Sequence, residues 1–396
     1  MSLKRRDFLK IVAGLGFSGL INPSSIYSQL NRVQPKAKGR EGRRLILIQL
    51  IGGNDGLNTL IPFEDDIYYK SRPKISLKKE NVLKINSEQG LHHSLKNTFS
   101  LYKEGQMALI QGVGMDNPNL SHFRAMDIIE TGSSSNEVLK NGWLARTFNE
   151  TNTSYDWNGV VLGGGFLGPL RGDNLKSLSL KNLKFFKNST EKLQKLNIKE
   201  LSLLSKKNEA LSHILNVEKS LQKTNAKFNE INAMETFSEG KRFPLKKQVE
   251  TALTLIQSNP QIPVFVFTIP GFDTHRNQLK RHEVLMGNLD QTISTLTKGL
   301  KKIDQWDSSL ILTYSEFGRR VAENESLGTD HGTANVFFAL GGKVRGGIYG
   351  KRPSLKNLDK GNLVYTTDYR SIYYSIQKKW FHFPKIERSH KLISFV

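Results

Sequence analysis

The 396-residue chain predicts an α/β fold, a mostly parallel central sheet covered by helices on both faces and interrupted by a helical insertion. Three observations lead to it. Five short runs are almost continuously apolar, as strands buried on both faces must be: Leu45 to Ile51, Met107 to Val113, Val264 to Thr268, Leu310 to Tyr314 and Asn335 to Leu340. Stretches with helical spacing separate them. Each run is bordered by a cluster of carboxylates, imidazoles or hydroxyls, and in open parallel sheets the ligand crevice lies outside the carboxyl ends of the strands.

The chain starts with Lys4-Arg5-Arg6-Asp7-Phe8-Leu9-Lys10 and a mildly apolar stretch from Ile11 to Ile21. This resembles a twin-arginine leader, a signal read by the export machinery for folded proteins, and implies a periplasmic or extracellular destination. The apolar stretch, with Gly14, Gly16 and Gly19, is short for a membrane span, although a retained anchor is the competing reading. We take 1–28 as leader, with cleavage near Ser28, and 29–43 as a basic linker. The main domain spans 44–385, followed by a tail at 386–396.

Within the domain the first strand ends at Gly52-Gly53-Asn54-Asp55-Gly56, and Pro62 to Asn86 reads as irregular and basic. A short helix over Leu95 to Lys103 precedes the second strand. Ser121 has the composition of a helix N-cap, with Phe123, Met126, Ile128 and Ile129 as the apolar face and Gly132 as the stop. Gly159 to Leu162 is a short strand. Residues 190–250, rich in Lys, Asn, Glu and Leu, read as amphipathic helices inserted beside or over the sheet. The alternation then resumes with a long helix over Gln278 to Lys302 and a closing helix over Asp368 to Phe381.

Composition narrows the function. There is no cysteine, so neither disulfides nor thiolate metal sites are available, and any metal binds through oxygen and nitrogen. The formal net charge is +22, and the few charges of the leader carry little of it. Such a surface attracts polyanions: an anionic membrane surface, an acidic glycan, or a phosphorylated or sulfated small molecule. No nucleic acid is expected, because no nucleic-acid motif with interleaved aromatics is present and export removes the protein from the genome.

The polar clusters carry the chemistry. Thr329-Asp330-His331-Gly332 sets an imidazole and a carboxylate among small residues, which suits a divalent ion such as zinc or manganese. Asp330 could equally orient His331 as a metal-free general base. Asp273-Thr274-His275 meets one ion if its loop bends, as Pro270 and Gly271 allow. Glu316 is a further carboxylate beside Arg319, which either holds an oxyanion or pairs with that acid. Asp55 is a ligand or a turn former, and its loop is no phosphate-cradling glycine motif. Ser121 at a helix start is a nucleophile or merely a cap.

Taken together, Gly52 to Asn58, Asn119-Leu120-Ser121-His122-Phe123, Glu130-Thr131-Gly132, Gly142-Trp143-Leu144, Gly271-Phe272-Asp273-Thr274-His275, Ser315-Glu316-Phe317-Gly318-Arg319 and Thr329-Asp330-His331-Gly332 resemble the family catalogued as domain of unknown function 1501. That family is placed in the alkaline phosphatase and sulfatase-like superfamily. The resemblance implies an alkaline phosphatase-like fold with divalent metal beside a hydroxyl nucleophile. It implies Asp55, Asp273, His275, Glu316 and His331 as ligands of zinc, manganese, magnesium or calcium. The catalytic roles then fall to Ser121 or a bound water as nucleophile, to Arg124 or Arg319 as the group that steadies the anion, and to Asp330 as the group that orients His331. Two departures stand out. Glu316-Phe317 replaces the superfamily's Asp-His pair, removing one imidazole, and neither the cysteine-type nor the serine-type sulfatase motif is present.

The expected function is thus an exported metal-dependent hydrolase of phosphate or sulfate esters, acting on an anionic small molecule or glycan. The alternatives are a noncatalytic exported protein that binds anionic glycans or a protein partner, and a metal-free esterase built on Ser121, His331 and an aspartate.

Overall fold

The computed structural model describes residues 42–151, 155, 157–172, 175–180, 244–258, 261–384, 386 and 388–396. The expected leader, nearly all of the linker and most of the helical insertion lie outside the described residues. The chain opens with β1 (Arg44–Ile51) and a 3-10 turn at Gly56–Asn58. A small antiparallel sheet follows, made of β2 (Leu60–Ile61), β3 (Val82–Lys84) and β4 (Gly90–His92), with α1 (Asp66–Ser71) between the first two. Then come α2 (Lys96–Lys103), β5 (Met107–Gly114), α3 (His122–Thr131), α4 (Trp143–Thr151), β6 (Gly159–Leu162) and β7 (Ser177–Leu180). The second half comprises α5 (Lys246–Ser258), β8 (Val264–Pro270), α6 (Gln278–Lys302), β9 (Ser309–Tyr314) and β10 (Asn335–Leu340). β11 (Gly347–Tyr349), the pair β12 (Leu358–Asp359) and β13 (Asn362–Leu363), β14 (Thr367–Asp368) and α7 (Tyr369–Ser375) complete the order.

The main sheet runs β11-β5-β10-β9-β1-β8-β6-β7, with β14 also on β5. Every pairing is parallel except the two made by β10, which is antiparallel to β5 and β9. The expected mostly parallel sheet is therefore present, and its one reversal has a consequence for function. A strand that runs against its neighbours begins at the rim where they end. The residues before β10, Thr329 to Gly332, thereby reach the same rim as the residues after β1, β8 and β9.

The helices lie on both faces because β1 alternates. Ile46, Ile48 and Leu50 face one core with α5 and the long α6, including Leu253, Ile256, Leu289 and Ile293. Leu45 and Leu47 face another with α3, α4 and α7, including Ile128, Trp143, Phe148 and Ile372. Phe395, near the C-terminus, is fully buried in this second core. Each such side chain contributes about 1.5–3 kcal/mol relative to exposure.

The segment read as irregular, Pro62 to Asn86, holds α1 and β3. Asp65 caps α1 by accepting from the Ile67 N–H. Six and three residues are too few for periodicity to register.

Candidate metal centre

The rim of the sheet gathers three of the residues singled out from sequence, Asp273, His275 and His331, together with His122, and Glu316, Asp330 and Arg319 brace them. Asp273 Oδ1 is the hub. It lies 3.0 Å from His275 Nε2, 3.4 Å from His331 Nε2 and 3.5 Å from His122 Nε2. His275 Nε2 and His331 Nε2 are themselves 3.0 Å apart. Among the described residues, the ligand atoms of His122, Asp273 and His331 all fall within 4.8 Å of one another.

Each imidazole is held from behind through its other nitrogen. His122 Nδ1 meets Glu316 Oε1 at 2.9 Å, His275 Nδ1 meets Asp330 Oδ1 at 3.2 Å, and His331 Nδ1 meets the Leu120 carbonyl at 2.8 Å. Carboxylate and carbonyl oxygens only accept, so each Nδ1 carries a hydrogen, and in the neutral ring that leaves Nε2 as the lone pair available to an ion. Outward carboxylate or carbonyl partners of this kind are the usual supports of metal-binding histidines. His122 Nε2 is buried and hydrogen-bonded to nothing.

The spacing fits a shared cation. Lone pairs and an anionic oxygen packed this closely repel unless a proton or a positive ion lies among them. Two ligands at zinc distances and a tetrahedral angle stand about 3.4 Å apart, the scale of all four separations here. The donor set, three imidazoles and a carboxylate, suits zinc or a similar transition ion rather than calcium or magnesium, which favour oxygen.

Local backbone explains why these groups meet. Gly52 ends β1 with φ +118°, and a Cβ there would lie 2.2 Å from the Asp273 nitrogen. The β1 exit can thus press against the Asp273 loop, and the Phe272 N–H donates to the Ile51 carbonyl at 3.0 Å. Gly328 plays the same part on the other side, where a Cβ would meet the His275 carbonyl carbon at 2.2 Å. The Thr329 N–H then donates to the Thr274 carbonyl.

Arg319 underlies the centre. Fully buried, it donates to the carbonyls of Gly52, Gly53, Phe272 and Thr329 and to Asp273 Oδ1 at 2.6 Å. Its donors are spent on tying three loops together. Burial raises the Asp273 carboxyl, but the Arg319 hydrogen bond and charge, aided by His275 and His122, bring it below the ordinary value. His331 is lowered, chiefly by burial. Both shifts keep the groups in their metal-binding forms at neutral pH.

The other sequence candidates do not face the hub. Asp55 is buried behind the centre. Its Oδ1 accepts from the Leu57 and Asn58 N–H groups, and its Oδ2 accepts from Arg72 at 2.7 Å and from Gln278. Gln278 in turn accepts from the hydroxyls of Thr274 and Thr329, so Asp55 braces the loops without joining the cluster. Glu316 has no exposed side-chain surface and also accepts from the Gly52 N–H at 2.8 Å, supporting His122 rather than facing the hub. Asp330 supports His275, with Asn324 as its second donor, and not its chain neighbour His331. Arg124 donates to Asp127 and to the carbonyls of Ser134, Ser135 and Glu137, pinning that loop to α3. Ser121 occupies the N-cap position of α3, yet its side chain makes no capping bond and the residue is exposed.

His122 is the residue that sequence reading passed over. The motif Asn119-Leu120-Ser121-His122-Phe123 contains it, but sequence alone does not show that its ring, and not the Ser121 hydroxyl, reaches Asp273. His122 supplies the third imidazole that Phe317 does not. The Phe317 ring instead packs against both His122 and His331, with centroids 4.9 and 4.8 Å away, and fixes their planes.

Solved structures with distant similarity include the lipoteichoic acid synthase LtaP from Listeria monocytogenes, 12% identical, with a TM-score of 0.40, covering 88% of this chain and 80% of that one. A mutant alkaline phosphatase from the Antarctic bacterium TAB5, with Mg bound, is 12% identical with a TM-score of 0.40, covering 87% and 99%. The protein Ps i-CgsB is 12% identical with a TM-score of 0.39, covering 88% and 73%. At such values nothing about activity passes from them to this chain. No curated protein matches. Residues 42–383, however, match the family described as "Protein of unknown function (DUF1501)", and the chain belongs to that family.

Proposed function

We propose that this protein is an exported metal-dependent hydrolase of phosphate or sulfate esters, with its centre at the carboxyl rim of the sheet. One observation carries the reading: three histidines, each anchored through Nδ1, bring their Nε2 atoms to within 3.5 Å of Asp273 Oδ1. His122, His275, His331 and Asp273 would hold a zinc-like ion. When bound, such an ion polarises an ester oxygen and lowers the pKa of a hydroxyl or water.

The remaining roles belong to the chain itself. Ser121, next to His122 and free of any capping bond, would be the nucleophile: its hydroxyl oxygen, on losing its proton, bonds to the phosphorus or sulfur as the ester's alcohol leaves with a proton, and water then cleaves the serine ester to release phosphate or sulfate and restore the hydroxyl. The first-turn N–H groups of α3, which Ser121 leaves uncapped, would donate to the anionic oxygens of the ester. Glu316 and Asp330 keep His122 and His275 oriented, and Arg319 holds Asp273 in place. Asp55 is structural. The resemblance to alkaline phosphatase and sulfatase-like proteins points the same way, as does the +22 charge, which attracts anionic substrates.

The test is hydrolysis across a panel of phosphate monoesters, phosphate diesters and sulfate esters, with and without chelator, alongside Ser121→Ala. Turnover of one class, abolished by chelation and by the substitution, is the expected result. Turnover that survives chelation would replace this reading with the metal-free esterase. That alternative has less support, since His331 Nδ1 is held by a carbonyl and not by an aspartate. A noncatalytic binding protein is favoured by the engagement of Arg124 and Arg319, which leaves neither guanidinium free to clamp an oxyanion. Stoichiometric metal with no turnover on any ester would establish that reading instead.

A further inference from the structure

Beside the metal centre, on the first turns of α6, a shallow, open groove is lined by Gly271, Asn277, Lys280, Arg281, Val284 and Leu285. Gly271 lies two residues before Asp273 and Asn277 two residues after His275, so the groove begins at the flank of the centre. Arg276, Lys280 and Arg281 are all exposed, and among the described residues none forms an ion pair. The acid on this stretch, Glu283, faces His93 Nε2 at 3.4 Å. Two uncompensated cations, Lys280 and Arg281, thus line the groove, Arg276 adjoins its Asn277 in the chain, and Val284 offers an exposed apolar surface, 56% accessible. Unpaired like charges repel one another, and a cluster of them is stabilised when an anion lies across it.

We infer that this groove binds the chain of an anionic glycan whose ester reaches the metal centre, so that the substrate is a sulfated or phosphorylated oligosaccharide rather than a small monoester. The inference rests on the hydrolase reading for the word substrate; the binding itself does not depend on it. A sugar ring presents an apolar face that fits the exposed Val284, and its anionic substituents meet Lys280 and Arg281, with Arg276 next to them. Single-stranded nucleic acid is less suited, because it is held by aromatic stacking and no aromatic side chain lines the groove.

The test measures binding of dextran sulfate to the full exported protein by calorimetry at several salt concentrations, with neutral dextran, an oligonucleotide and anionic lipid vesicles as comparators. Arg276→Gln, Lys280→Gln and Arg281→Gln are combined in one variant, whose metal content and unfolding temperature serve as controls on the fold. We expect dextran sulfate to bind and neutral dextran not to. The triple variant should lose about tenfold or more in affinity and lower the salt dependence by about one unit per cation removed. Turnover of esters by the unaltered protein with and without chelator is measured alongside: dextran sulfate that binds and loses affinity in the triple variant while no ester is turned over would uphold the groove and refute the hydrolase reading, which separates the two failures. Equal affinity in the triple variant overturns the inference. So does oligonucleotide or vesicle binding as tight as that of dextran sulfate and equally lost in the variant, since the groove would then serve a different partner.

Discussion

Glu316 and Asp55 are both buried carboxylates after neighbouring strands, and they do opposite work. Glu316 touches a ring nitrogen of His122, whereas Asp55 touches Arg72, two backbone amides and Gln278. Glu316→Gln should therefore weaken metal affinity by about 10–100-fold, the usual effect of losing a ligand's outer partner. Competition against a chromogenic chelator would read this out, and an unchanged affinity would remove Glu316 from the centre. Asp55→Ala should instead leave metal content intact. It strands the Arg72 guanidinium in a buried site with only Asn58 and two carbonyls as partners, at a cost of about 3–5 kcal/mol. Urea denaturation of the apoprotein measures that cost. The sequence made the two acids look alike because it lists each residue's type and not its partner. Arg72, the guanidinium that claims Asp55, sits seventeen residues on, in a segment that read as irregular.

The strands were legible because their burial on both faces leaves a plain record: all five apolar runs became strands, within two residues at their ends. The long α6 was equally plain, since 25 residues of periodic sequence fix its limits. What could not be read was the direction of β10. Only a reversed strand carries Asp330 and His331, which precede it, to the rim reached by residues that follow β1, β8 and β9. Nor could spacing show how closely loops pack, which depends on glycines such as Gly52. Gly52→Ala should destabilise the fold by about 1–3 kcal/mol, through strain at φ +118° and the clash with the Asp273 nitrogen. It should also loosen the Asp273 loop, so thermal unfolding and metal affinity fall together. A change in stability alone would mean that the β1 exit does not position Asp273.

Across the molecule, two buried imidazoles set an acid limit. Burial, with His282 and His93 nearby, holds His92 down to about 2; burial also holds His282 down to about 4, against the pull of Asp55. Both stay neutral in the fold while the unfolded chain protonates near 6.5, so below that pH the unfolded state binds more protons and stability falls. The contribution is complete above about 6.5 and is lost toward 4, by about 1.4 kcal/mol per unit and histidine. Denaturation at pH 7.5 and pH 5 should show the loss, and a flat profile would contradict it. No helix among the described residues is long and apolar enough to cross a membrane. Arg5→Lys combined with Arg6→Lys should trap the full chain in the cytoplasm, as fractionation would reveal. Unimpaired export would refute the leader. The most direct measurement is elemental analysis of protein purified after native export, beside His122→Ala. A single zinc-like ion per chain, lost in the variant, is what the three-histidine centre requires. Protein that is fully folded, takes up no divalent ion even when zinc is supplied, and is unaffected by the substitution would contradict it.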